Sequence, residues 1–228
     1  MSMIELRRAM LGIKRLTCAI VLVGSTLTLA GCASTAQQSL PAFKASLLEY
    51  VESGGYAEDV AEVANGAVKY LRREARETAQ PAIVLDIDET SLSNWPYQVD
   101  SRFCYDAEAF HAWVLEAEAE PLAGVLELYK VARELDVAVF FVTGRHEDQR
   151  AATEANLAAV GFDEWETLDM RPRNDGEASA AAFKVAVRRR ISEAGYTIIA
   201  NVGDQESDLA GGYSRRAFKL PNPFYEVP

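Results

Sequence analysis

Histidine and cysteine are scarce in this chain of 228 residues. The two histidines, His111 and His146, lie in no phosphohistidine or zinc-binding pattern, so both read as structural or surface residues. The three cysteines are Cys18, Cys32 and Cys104. The first two fall in an N-terminal targeting segment, which leaves Cys104 without a disulfide partner. No histidine is placed beside it in sequence, so Cys104 reads as a single buried thiol. Repeats at solenoid periods are absent, and so are low-complexity tracts. Positive charge is in deficit, with 23 Lys and Arg against 34 Asp and Glu and a net charge of −11. Such a chain is a poor partner for phosphate backbones, which argues against a nucleic acid polymer as ligand. The run Arg188-Arg189-Arg190 does not alter that. Three consecutive helical residues point in different directions, and the run reads as a solvated face.

The first residues break the acidic pattern. Arg7, Arg8, Lys14 and Arg15 precede "LTCAIVLVGSTLTLAGC". A basic stretch, a short apolar run and then small residues have the layout of a secretory signal, and the apolar run is short for a membrane span. "LTLAGC", Leu27 to Cys32, resembles a bacterial lipobox, with Cys32 lipidated as the new N-terminus. An uncleaved anchor helix and a plain signal cleaved near Ala33 are the competing readings. The lipobox divides the chain into a signal (1–31), a polar tether (32–40) and a domain (41–228) that opens with two helices (41–80). It places the mature protein in the bacterial cell envelope, on the outer membrane or facing the periplasm.

Two helices are expected after the tether. "PAFKASLLEYVES" has Pro41 near its first turn and stops before Gly54-Gly55. From Tyr56 to Ala79, the residues Tyr56, Val60, Val63, Ala67 and Tyr70 form an apolar stripe. The pattern then changes. "AIVLDI", "VAVFFVT" (137–143), "TIIANVGD" (197–204) and "RAFKL" (216–220) read as buried strands, and "WETLDM" as a further one. Helices are expected between them at 106–117, 121–135, 147–160 and 177–195. Apolar strands alternating with amphipathic helices argue for a parallel sheet covered on both faces. In such sheets the site lies at the carboxyl ends of the strands.

Three of those strands end in reactive polar groups. The first ends at Asp86-Ile87-Asp88, the second at Thr143-Gly144-Arg145, and the third at Gly203-Asp204 with Asp208 four residues on. Strand alternation aims Asp86 and Asp88 the same way. The spacing of Asp204 and Asp208 turns both in one direction. Four carboxylates converging on one spot repel by several kcal/mol unless a cation sits among them. An all-oxygen site shared with phosphate suits magnesium. Arg145 has two readings, a ligand of substrate phosphate or a surface partner of Glu147 or Asp148. Lys184, in "AAFKVAVRRR", reads on its own as a helix-surface lysine, Thr143 as a strand-end cap, and Asp204 as a turn residue.

The same residues resemble the haloacid dehalogenase superfamily. "DIDET" is similar to its first motif, the Thr of "FVTGR" to its second, Lys184 to its third and "GDQESD" to its fourth. "DIDETSLSN", "FVTGR", "GDQESDLAGG" and "LPNPFY" together resemble the acid phosphatases of subclass IIIB, over residues 40–228. The resemblance implies a Rossmann-like core, a small helical cap from N-terminal and inserted segments, and hydrolysis of phosphate monoesters. It implies Asp86 as the nucleophile that becomes an aspartyl phosphate and Asp88 as the general acid and then base. The superfamily's dehalogenases lack an acid at that second place, so Asp88 favours phosphoryl transfer. Asp86, the backbone carbonyl of Asp88 and Asp204 would hold magnesium. Asp208 would orient those ligands or join them. Thr143 and Lys184 would bind the phosphoryl group.

Trp95, Tyr97, Phe103, Tyr105, Phe110 and Trp113 lie between the first two motifs, where such enzymes recognise substrate. Core packing is the expected role for most, Phe110 and Trp113 among them. Trp95 and Tyr97, near the acids, are the candidates for a slot that takes a flat leaving group such as a nucleobase. Two other functions stay open on these residues: a non-catalytic binding or structural lipoprotein of the same fold, and a phosphotransferase that delivers the phosphoryl group to an alcohol. The oligomeric state is open too, a homo-oligomer included.

Overall fold

A computed structural model describes residues 39–173 and 179–227. The expected signal, Cys32 and most of the expected tether lie outside the described residues. The first helix, α1 (Leu40–Glu52), starts where Ser39 accepts a hydrogen bond from the Ala42 N–H, with Pro41 in the first turn. It ends at Gly54, whose φ of +91° suits glycine. The second, α2 (Gly55–Glu74), buries Tyr56, Val60, Ala67 and Tyr70 of the expected stripe together with Leu71, while Val63 packs against the core only partly buried, and closes in a short 3-10 turn. β1 (Pro81–Leu85) is followed by an insertion holding β2 (Leu92–Ser93), α3 (Trp95–Asp100), α4 (Ala107–Glu116) and β3 (Glu120–Pro121). Then come α5 (Ala123–Glu134), β4 (Ala138–His146), α6 (Arg150–Ala159), β5 (Thr167–Arg171), α7 (Ala180–Glu193), β6 (Thr197–Gly203), α8 (Glu206–Leu209) and β7 (Arg216–Lys219). Sequence periodicity does not reveal α3, α8 or the β2–β3 pair, because each is too short to show a period.

Five strands form one sheet in the order β5-β4-β1-β6-β7, and every neighbouring pair is parallel. Alternation along the strands feeds two cores. Ile83, Leu85, Val139 and Phe141 face α2 and α5, while Ala82, Val84, Phe140 and Val142 face Val187 and Ile191 of α7. Both faces are therefore covered, as the continuous apolar runs imply. Truncating a fully buried Phe141 to alanine would cost about 3–5 kcal/mol. Of the N-terminal pair, α2 belongs to the main core, whereas α1 reaches the insertion, where Lys44 Nζ donates to the Arg102 carbonyl at 2.6 Å. The chain order reverses between β1 and β6, which opens a crevice at their carboxyl ends.

Two expectations fail here. Arg188 is not on a solvated face. It is 1% exposed, because Lys184, Val187, Arg188 and Ile191 form the inward face of α7 at spacings of three and four. Its guanidinium is accommodated by donating to the carbonyls of Asp208, Ala210 and Gly212. Arg189 and Arg190 stay outside, paired with Glu193 and Asp169. Cys104 is exposed and not buried, since it falls in the loop after α3.

Candidate active site

The three central strands, β4, β1 and β6, deliver their terminal side chains to one place. Asp86 follows β1 and donates its backbone N–H to the Val202 carbonyl at 3.0 Å, so strand pairing holds it in line. Asp204 follows β6. Asp208 lies on α8 and comes close to both, and the three carboxylates have oxygens within 4.8 Å of one another. Asp204 and Asp208 do not meet as neighbours on one helix. A reciprocal cap with Gln205 holds Asp208, whose Oδ2 accepts the Gln205 N–H at 2.8 Å. Gly203 makes this approach feasible, because a Cβ there would overlap the Asp208 side chain. Gly203→Ala is accordingly expected to destabilise the fold by about 1–3 kcal/mol and to depress turnover by displacing Asp208. Thermal unfolding and an activity assay would check both, and an alanine variant matching the parent in both would show that Asp208 has room.

Lys184 is not a surface lysine. It is 5% exposed and bridges Asp86 Oδ1 at 2.6 Å and Asp208 Oδ1 at 2.5 Å. Burial works to lower its pKa, but the two carboxylates outweigh that and hold it raised, so the ammonium is charged. Burial, then repulsion from Asp208, pushes the Asp86 pKa well above the usual carboxylate range. The same two causes raise Asp204 to about 6. Asp204 accepts from Thr90 Oγ1 at 3.0 Å, Gln205 Nε2 at 2.5 Å and Asn222 Nδ2 at 2.8 Å. Thr143 is fully buried in β4, and its Oγ1 accepts the Arg145 N–H at 3.1 Å, which leaves its own proton to donate.

Arg145 does not pair with Glu147 or Asp148 as a surface partner. Glu147 pairs with Arg150 and Asp148 with Arg173. Arg145 instead forks onto Asp88, with Nη2 at 2.7 Å and Nε at 3.0 Å from Oδ1.

A cavity of about 470 Å³ opens over Asp86, Asp88 and Lys184. Tyr97 lines it, with its hydroxyl tied to the backbone of Asp106. Trp95 packs behind the lining against Phe103 and Phe224, at centroid distances of 6.0 and 5.5 Å. Phe103, Tyr105, Phe110 and His146 do line the cavity. Phe110 is thus more than core packing, because the insertion folds back over the strand ends and turns that side of α4 towards the opening.

Three further residues that the sequence reading did not single out join the site. Glu89 is buried, with a φ of +51°, a conformation few non-glycine residues adopt. Burial and the adjacent Asp88 raise its pKa to about 8, although bonds from Tyr225 and Asn94 oppose the shift. Tyr225 reaches it from the far end of the chain at 2.6 Å, and Asn222 reaches Asp204. The C-terminal "LPNPFY" therefore forms a wall of the site. The third acid of "DIDET" was the only hint of Glu89.

Five acids (Asp86, Asp88, Glu89, Asp204 and Asp208) gather in this region, where Lys184 and Arg145 pair with three of them and Arg171 also lines the cavity. An excess of buried oxygen donors fits a hard divalent cation. A Rossmann-ordered sheet with this strand-end constellation defines a phosphatase of the haloacid dehalogenase type. The chain belongs to subfamily IIIB of that superfamily, the acid phosphatases, whose family model matches residues 15–228. It is similar to acid phosphatase 1 of Solanum lycopersicum, 36% identical over 184 residues, 78% of this chain and 72% of that protein. It is also similar to the stem 28 kDa glycoprotein of Glycine max, 34% identical over 187 residues with the same coverage. Its fold is like that of the class C acid phosphatase from Bacillus anthracis, with a TM-score of 0.68, 24% identity and coverage of 81% of this chain and 86% of that one. The chain is a phosphomonoesterase.

Proposed function

We propose that the protein is a magnesium-dependent acid phosphatase that works through a phosphoaspartyl group on Asp86. The observation that carries this reading is the meeting of the Asp86, Asp204 and Asp208 carboxylates, two of them bridged by the Lys184 ammonium, beside Asp88. Asp86 attacks phosphorus, and the leaving oxygen takes a proton from Asp88. In the second half Asp88 takes a proton from the attacking water. Lys184 neutralises charge on the phosphoryl oxygens, and the Thr143 hydroxyl donates to one of them. Asp86, the Asp88 carbonyl and Asp204 would hold the magnesium, which when bound offsets the repulsion between carboxylate and phosphate. Asp208 acts by orienting its neighbours, since both of its carboxylate oxygens are committed, Oδ1 to Lys184 and Oδ2 to the Gln205 N–H. The aromatic cavity suits a flat leaving group such as an aryl ring or nucleobase.

Testing purified protein against nucleotides, sugar phosphates and aryl phosphates, with magnesium or with EDTA, should show turnover in the first condition only. Turnover undiminished by EDTA would overturn the metal dependence, and silence on every ester would overturn the enzyme reading.

The domain division and location are part of the proposal and rest on the N-terminal sequence: signal 1–31, tether 32–40, and a lipid on Cys32 that holds the protein at the bacterial cell envelope. Cys32→Ser is expected to release the protein from membranes without altering kcat or KM, because the tether precedes α1 and the site residues all lie beyond it. Fractionation followed by assay is the check. A processed variant that still sediments with membranes would refute the lipid anchor.

A further inference from the structure

The Arg145 guanidinium is 1% exposed and each of its three nitrogens is engaged. Nε and Nη2 face Asp88, and Nη1 donates to Thr153 Oγ1 at 3.2 Å. Asp88 receives these contacts unevenly. Its Oδ1 accepts from Arg145 Nη2 at 2.7 Å, from Arg145 Nε at 3.0 Å and from Asn94 Nδ2 at 2.9 Å, while among the described residues Oδ2 accepts from Nε alone, at 3.2 Å. The Asp88 side chain is 18% exposed and borders the cavity. Asn94 is itself fixed, its Oδ1 accepting the Trp113 indole N–H at 2.8 Å.

We propose that Arg145 is a positioning residue for Asp88: with Asn94 it saturates Oδ1 and leaves Oδ2 as the oxygen that carries the proton in both half-reactions. The inference rests on Asp88 being the acid–base group. A short carboxylate can swing about its Cα–Cβ and Cβ–Cγ bonds, and a general acid works only when its O–H reaches the leaving oxygen. A planar guanidinium locked by its own bonds removes that freedom at little further entropic cost. In the first step an Asp86 carboxylate oxygen bonds to phosphorus, the bond from phosphorus to the ester oxygen breaks, and the Oδ2 proton passes to that departing oxygen. In the second, water bonds to phosphorus, the bond to Asp86 breaks, and the water proton passes to Oδ2.

The test is a double-mutant cycle of Arg145→Met and Asp88→Asn, read by rapid-quench and steady-state rates on 4-nitrophenyl phosphate and glycerol 2-phosphate, with inorganic phosphate as inhibitor. Arg145→Met alone is expected to slow phosphorylation by the alkyl ester on the order of a hundredfold, the scale set by misplacing a reacting group. The aryl ester should be affected far less. In the Asp88→Asn background the same substitution should change rates by less than about threefold, because the group it acts through is gone. The inhibition constant of phosphate should stay unchanged. Arg145→Lys keeps the charge without the fork and should give the same pattern in smaller size, which covers a Met variant that does not fold. A full loss in the Asp88→Asn background, or weaker phosphate inhibition matching the rate loss, would overturn the proposal and make Arg145 a substrate ligand. Equal losses on both esters for Asp88→Asn alone would overturn the acid–base reading of Asp88, while the cycle would still report whether Arg145 acts through it.

Discussion

Asp86→Asn is expected to abolish turnover while the fold persists. An amide cannot attack phosphorus as a carboxylate does, so no phosphoaspartyl group forms. Stability should move the other way. Burial and the Asp208 carboxylate push the Asp86 pKa well up, so between its unfolded and folded values the metal-free native protein holds more protons than the unfolded chain. The contribution of this group to stability therefore falls as pH rises through that window. Asparagine removes the penalty. Lys184 loses one carboxylate partner but keeps Asp208 at 2.5 Å. In EDTA near neutral pH the variant should unfold at or above the temperature of the parent. Parent-like activity in purified Asp86→Asn protein would sink the covalent mechanism.

Asp88→Asn should separate the two half-reactions. An aryl phosphate has a good leaving group and needs little protonation of the departing oxygen. A nucleotide or sugar phosphate leaves as a basic alkoxide and needs a proton donor in the transition state. Phosphorylation of Asp86 should therefore suffer far more with alkyl than with aryl esters. Water attack on the phosphoaspartyl group also loses its base, so steady-state turnover should fall for both, by about a hundredfold or more. A pre-steady-state burst should appear or grow with the aryl ester only. Rapid-quench kinetics on both substrates would show it. Equal losses in the first phase would mean that Asp88 is not the general acid.

Much of the site was legible because it sits on elements that sequence patterns announce. Parallel strands buried on both faces read as unbroken apolar runs, and the polar residues that end them are conspicuous. Asp86 and Asp204 directly follow β1 and β6, and Thr143 lies three residues inside the carboxyl end of β4, which runs on to His146. The expected helix 147–160 shortened to Arg150–Ala159 after a 3-10 turn, as short polar first turns often do. Only coordinates reveal that Gly203 is what admits the Asp208 side chain.

By itself, then, the sequence determined the alternation of strands and helices, the acids at the strand ends and the motif order that marks the family. Those properties depend on neighbours within one element, where the periods of 2 and 3.6 operate. Partner choice was decided only by the tertiary structure. Lys184 pairs with Asp86 across 98 positions, Arg145 with Asp88 across 57, and Tyr225 with Glu89 across 136. No local period encodes such pairings. They follow from which strand ends lie side by side and from the cost of leaving a buried charge alone, which selects, among the groups brought within reach, the one that satisfies it.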